Sequence, residues 1–212
     1  MFLSVCFDAV WGLFRRPDGE CLCPRRQRHE NAAKKPGFLM GTDNNSHSEW
    51  VEWKHISQGT THCAECLSLD GCWFFNSKSP ASPLHPYCHC ITKPLLFSHV
   101  VNSVTADSAY SKFDPYLFDP ENKYNHQKGK MFEHWGYTIN DAIWLQTEME
   151  HQALQKYISG HYTLGRRDKN GQRINIRIEL DRKNGSGSVS FISGWMVFPD
   201  GKIKLTTPYG GK

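Results

Sequence analysis

The sequence predicts an α+β fold for residues 113–212: two helices followed by a four-stranded antiparallel sheet. A small, irregular, cysteine-rich module and a disordered leader precede it. Three observations carry this expectation. Leu145, Met149, Ala153 and Tyr157 recur every four residues, with Ala142 one turn earlier, which is the apolar stripe of a core-facing helix. Ile174, Ile176, Ile178 and Leu180 alternate with Arg173, Asn175, Arg177 and Glu179, the period of a strand with one buried face. Cys63, Cys66, Cys72, Cys88 and Cys90 crowd a stretch that also holds Pro80, Pro83, Pro86 and Pro94, where regular structure should be short.

The chain has 212 residues, of which 22% are charged and 13% aromatic, with a formal net charge of +4. Such a composition can bury a core, so full disorder is not expected. The basic excess is too mild to demonstrate a nucleic-acid partner. No stretch approaches the roughly 18 apolar residues of a membrane span, so no membrane partner is expected.

Residues 1–45 are expected to be a disordered leader. Phe2–Phe14 is apolar but is interrupted by Asp8 and lacks a preceding basic cluster, which makes it a poor signal peptide. Met40 is an alternative start, and Cys6, Cys21 and Cys23 receive no role. Residues 46–97 form the cysteine-rich module, and residues 98–112 read as a linker. In the C-terminal unit, Asn125–Trp135 suits a short helix capped by Asn125 and closed by Gly136. A longer helix starts at Thr138 or Asn140, runs to about Ser159 and stops at Gly160. His161–Arg166, the Arg173 strand, Ser188–Phe198 and Lys202–Thr206 make the four strands. Asn170-Gly171, Asn184-Gly185 and Asp200-Gly201 supply the turns between them.

Cys63-Ala-Glu-Cys66 is followed, after a loop, by His85-Pro-Tyr-Cys88-His-Cys90. Two close sulfur pairs brought together by a loop suit tetrahedral zinc, each pair spanning one edge. The expected ligands are Cys63, Cys66, Cys88 and Cys90, with His85 or Cys72 as substitutes, in a closed structural site. Two disulfides or free thiols are the alternatives, and the lack of a signal peptide argues against disulfides.

These residues carry a resemblance. Trp53, Thr61–Gly71 with its C-x-x-C and Asp70-Gly71, and Pro83–Cys90 with its H-P-x-C-x-C resemble the C-terminal motif of phage head morphogenesis (minor capsid) proteins. The helical body that precedes the motif in those proteins is missing. A second resemblance covers residues 113–212. Tyr116–Pro120, Lys128–Phe132, Gly136-Tyr137, Leu145, Gly171–Arg173, Asn184-Gly185, Gly194-Trp195 and Leu205–Thr207 are similar to an uncharacterised domain at the ends of bacterial polymorphic toxins and phage proteins. That resemblance implies a toxin-type effector with a cognate immunity protein. Its plan of helices followed by a sheet is shared with many small ribonuclease toxins, an analogy of fold alone.

Metal-independent RNA cleavage needs a base, an acid and cations for the phosphate. The candidate residues are Lys128, Arg173, Arg177 and Thr206, with Thr207 and Tyr209 at the same strand end. His126, His134, His151 and His161 are the histidines of the C-terminal unit. For each Arg the competing role is a solvated strand face, and for Trp195 it is core packing. The expectation is a phage- or mobile-element-associated toxin-type effector, acting on RNA as a metal-independent ribonuclease. The rival is a non-enzymatic head morphogenesis accessory protein that binds phage head proteins. The location is accordingly expected to be cytoplasmic, virion-associated or exported.

Overall fold

A computed structural model describes residues 49–57, 63–119, 121 and 128–210. They all lie in one unit, Asn45–Lys212. The expected leader and the cap at Asn125 lie outside the described residues.

Strands β1 (Trp50–Lys54), β2 (Trp73–Phe75) and β3 (Ile91–Leu95) form an antiparallel sheet in the order β2-β1-β3, with helix α1 (Ala64–Leu67) between β1 and β2. The cysteine-rich module is therefore more regular than expected. Pro94 sits on β3, an edge strand, where a missing N–H costs no ladder bond. Trp50, Trp53, Trp73 and Phe74 are buried and give the module an aromatic core.

The stretch expected to be a linker instead holds helix α2 (Phe97–Ser103) and strand β4 (Thr105–Asp107). Helix α3 (Lys128–His134) comes next. A 3-10 turn at Ile139–Asp141 then leads into α4 (Ala142–Ile158). Thr138 and Asp141 form a capping box at that turn. The stripe Ala142, Leu145, Met149, Ala153 and Tyr157 is buried as its period requires.

Strands β5 (Thr163–Asp168), β6 (Gly171–Asp181), β7 (Ser188–Val197) and β8 (Lys202–Thr207) form the antiparallel meander. The sheet has five strands rather than four, in the order β4-β8-β7-β6-β5, because β4 adds in parallel to β8. β4 is short and largely polar, so it has no period of its own, and only the exposed edge of β8 makes it a strand.

The register sorts the sheet into two faces. Ile174, Ile176, Ile178 and Leu180 stand opposite Trp195, Ser193, Phe191 and Val189, and all are buried toward the core. Arg173, Asn175, Arg177 and Glu179 lie on the outer face with Met196, Gly194, Ile192 and Ser190. β5 ends opposite Asn175. Beyond it Gln152 of α4 takes over the edge of β6, its amide donating to the Glu179 carbonyl (2.6 Å) and its carbonyl accepting the Glu179 N–H (3.0 Å).

Candidate metal centre and cationic sheet face

The metal centre is assembled by local geometry. Asp70 follows α1, and its carboxylate accepts the His55 N–H (2.9 Å), which ties the loop to the end of β1. Gly71 then adopts φ +77°, and a Cβ there would meet Pro199 at 3.1 Å. The Asp70-Gly71 pair is thus explained by a turn and a close approach. α1 presents the C-x-x-C to the loop carrying His85, Cys88 and Cys90.

Two triads of ligand atoms result, Cys63–Cys66–His85 and Cys66–Cys88–Cys90, each with its atoms within 4.8 Å of one another. Cys66 belongs to both. Its sulfur lies 3.2 Å from His85 Nε2 and 3.7 Å from Cys88 Sγ. All five cysteines of the module have free thiols. A Cys/His cluster able to hold a metal is therefore present, and all four expected ligands and His85 are in it. Cys72 is not, since its buried thiol points to the carbonyls of Ser68 (3.7 Å) and Val197 (3.8 Å). His55, unanticipated in the sequence, brings Nδ1 to 3.5 Å from Cys90 Sγ. Nothing in the spacing pointed to it, because only the pairing of β1 with β3 brings it there.

The thiols differ electrostatically. Burial, then the neighbouring thiols, pushes Cys66 far above the ordinary thiol range. Burial, aided by the carboxylates of Asp70 and Asp200, pushes Cys72 up to about 12. At Cys88 the upward push of burial is overcome by backbone hydrogen bonds at Leu84 and Cys90, leaving it at about 7. Backbone hydrogen bonding at Cys66 lowers Cys63.

The other candidates lie on the second sheet. Arg173 and Arg177 are exposed on the outer face, Arg173 4.0 Å from Asp168 and Arg177 donating to the Ser190 hydroxyl (3.0 Å). Thr206 occupies the register shift between β7 and β8, where its hydroxyl donates to the Gly194 carbonyl (2.8 Å). Lys128 reaches the neighbouring Thr207, Nζ to Oγ1 3.0 Å. The structure thus joins Lys128 to the Thr206–Thr207 strand end, and holds Arg173 and Arg177 on β6 two strands away. His134 and His151 sit on α3 and α4, His161 follows α4, and His126 lies outside the described residues. Tyr209 packs on Trp135 and Phe191, and Trp195 is fully buried.

Sequence reasoning missed Lys112 and Lys204. Lys112 Nζ donates to the Thr206 carbonyl (2.9 Å), and Lys204 lies on the outer face over the Phe198 ring (5.2 Å). Among the described residues, Lys112, Lys128, Arg177, Lys202 and Lys204 form no ion pair with a carboxylate.

Residues 100–212, more than half of the chain, match the family described as Domain of unknown function (DUF6883). The chain belongs to the DUF6883 family. The DUF6883 match starts at residue 100 rather than 113, so it takes in β4, in keeping with β4 being a strand of the sheet. The family description names neither a phage head protein nor a toxin. No curated protein and no solved structure matches the chain. No helix among the described residues is long and apolar enough to cross a membrane.

Proposed function

We propose that this DUF6883 chain is a toxin-type effector that acts on RNA through the outer face of its five-stranded sheet, with zinc as a structural ion in the cysteine cluster. The supporting observation is the set of cations on and around that face: among the described residues Lys112, Lys128, Arg177 and Lys204 pair with no carboxylate, and Arg173 has Asp168 4.0 Å away. Arg173, Met196 and Lys204 stand in one row across β6, β7 and β8. Lys128 and Lys112 converge on Thr207 and Thr206. Cations held in place stabilise the charge that develops on a phosphate under attack. In the reaction proposed, a ribose 2′-oxygen bonds to the adjacent phosphorus as the bond to the 5′-oxygen breaks. The 2′-proton leaves to a base and the leaving oxygen gains one, giving a 2′,3′-cyclic phosphate and a 5′-hydroxyl. Lys128 and Thr206 bracket the strand end where the attack takes place, and Arg173 and Arg177 hold another phosphate of the same strand on β6.

Zinc is supported by the donor set. The 3.7 Å between Cys66 and Cys88 sulfurs is close to the edge, about 3.8 Å, of a tetrahedron with zinc–sulfur bonds of about 2.3 Å. Cys63, Cys66 and Cys88 would hold it with Cys90 or His85.

Expression of the full chain in bacteria tests the reading, with growth and RNA integrity scored for wild type and for Arg173→Ala. Arrested growth with fragmented RNA, lost in the variant, supports it. Normal growth and intact RNA sink it. A second reading, a protein-binding accessory function toward an immunity protein or a phage head protein, is favoured by one feature. Ile143 (68% exposed) and Trp144 (47%) present apolar surface at the start of α4, beside a stacked Tyr137.

A further inference from the structure

Next to the sheet's outer face lies an open groove of about 490 Å³, whose lining includes Lys112, Asn170, Met196, Phe198, Lys204 and Thr206. Its composition is mixed in a specific way. Met196 and Phe198 supply an apolar floor, Phe198 half-buried with one ring face under the Lys204 ammonium. Lys112 enters from the turn at Tyr110–Lys112 and is anchored by a single bond to the Thr206 carbonyl. Asn170, in the β5–β6 hairpin turn, adds a side-chain amide. The nearest acid in the register is Asp107 of β4, opposite Lys204 in the strand pairing, yet it forms no ion pair with it among the described residues.

Two ammonium groups and an aromatic ring lining one groove match the chemistry of a nucleotide in a single strand. A phosphodiester takes the cations, and the base, exposed because it is unpaired, takes the ring. A double helix would offer phosphates but no free base face. The bulge at Thr206 turns β8 beside the groove, as bulges often do next to binding sites. The row Arg173–Met196–Lys204 extends the cationic track beyond the groove. With strands about 4.8 Å apart, Arg173 stands about 10 Å from Lys204.

We propose that this groove is a subsite for one nucleotide of a single-stranded nucleic acid, its phosphodiester between Lys112 and Lys204 and its base against Phe198. The assignment rests on the RNA reading above and names where on the face the strand docks.

The test is binding of a short, labelled, single-stranded oligonucleotide to the full chain, followed by fluorescence anisotropy across a salt series. The RNA probe is uniformly 2′-O-methylated, so it has no 2′-hydroxyl to attack, and a DNA probe of the same sequence runs in parallel. Lys112→Met and Lys204→Met keep the aliphatic stem and remove the charge. Each should weaken binding and reduce the salt slope by about 0.7. Phe198→Leu, with Phe198→Ala as the stronger variant, should weaken binding without changing the slope, by roughly 5- to 150-fold for the alanine. Lys93→Met, on β3 of the other sheet, should match wild type. Thermal melts confirm that each protein is folded. If wild type binds and both lysine variants keep its affinity and slope, the groove is not the subsite, while the RNA reading survives on the rest of the face. If wild type binds neither probe, both fall. Tighter binding of the RNA probe assigns the groove to RNA. Equal or tighter binding of DNA keeps the phosphodiester subsite but overturns RNA as its preferred ligand.

Discussion

The hydroxyl of Tyr157, fully buried on α4, donates a hydrogen bond to the carbonyl of Trp73 on β2. One bond thus links the last turn of the long helix to the cysteine-rich sheet. It has company. Trp50 stacks edge-on against Tyr157 at 5.1 Å, and the Phe75 N–H donates to the Tyr162 hydroxyl (2.9 Å). The module and the DUF6883 domain share this core. Tyr157→Phe should destabilise the chain by about 1–3 kcal/mol, because a buried carbonyl loses its donor. Urea unfolding checks the size. It should also show one transition by tryptophan fluorescence and by circular dichroism, since the tryptophans of the module pack on the helix of the domain. Two separate transitions would contradict the shared core.

Metal content gives the second expectation. Purified chain should carry about one zinc, measured by elemental analysis. Cys66→Ala should lose it most completely, because Cys66 stands in both triads, whereas Cys90→Ala and His85→Ala each break one. Thiolate ligands must shed protons to bind, so zinc affinity falls as pH falls, and acid or a chelator releases the ion. Because Trp73 and Phe75 of the module contact α4 and its flank, zinc removal should also lower the melting temperature of the whole chain. An unchanged melt after complete metal removal would show that the ion is not structural.

Charge and core can be separated on a single strand. Arg173→Ala alters an exposed side chain and should change stability by no more than about 0.5 kcal/mol. Ile176→Ala, at a fully buried neighbour on the opposite face, should cost roughly 2–5 kcal/mol through the cavity it leaves. If the arginine variant keeps wild-type stability but loses growth arrest and RNA cleavage, the outer face is functional. If it keeps both activities, Arg173 is a solvated face residue.

The start of α4 carries a pH dependence. The Lys183 ammonium bonded to Asp141 holds that carboxyl below its ordinary value of 3.8, against the effect of burial and with help from the Thr138 N–H. A carboxyl with a lowered folded-state pKa stabilises the fold above its unfolded value, and this contribution disappears as pH falls through the folded one. The effect is therefore complete at neutral pH and declines below about pH 4. Asp141→Asn keeps an acceptor for the cap but removes the charge pair, and should cost about 0.2–1 kcal/mol at pH 7. The difference from wild type should shrink in acid. A difference that stays constant from pH 7 to acid would show that the ion pair contributes nothing.

Periodicity made the helix α4 and strand β6 legible, because each buries one face against the same core and its residues must repeat at 3.6 or 2. The C-x-x-C and C-x-C pairs were legible for a different reason: their spacing is set by ligand geometry within a few residues. β4 was not legible. Thr105-Ala-Asp107 has no pattern of its own and is a strand only because β8 offers it an edge. His55 approaches Cys90 only through the ladder between β1 and β3. Arg173 and Arg177 could be placed on one face from alternation alone. Lys112 and Lys204 could not, since they lie far apart in the chain and come to line one groove only because Lys112 reaches the Thr206 carbonyl on β8.

By itself the sequence determined which residues are core and which are solvent-facing along α4 and β6, and that a soft-ligand cluster sits between Cys63 and Cys90. Local periods and ligand spacings encode these features because they depend on near neighbours only. Tertiary structure alone decided the fifth strand, the docking of the cysteine-rich sheet on Tyr157, the double membership of Cys66 and the groove between Lys112 and Lys204. Each of these depends on contacts between residues distant in the chain, whose side chains meet only after strand register and helix packing have set their positions.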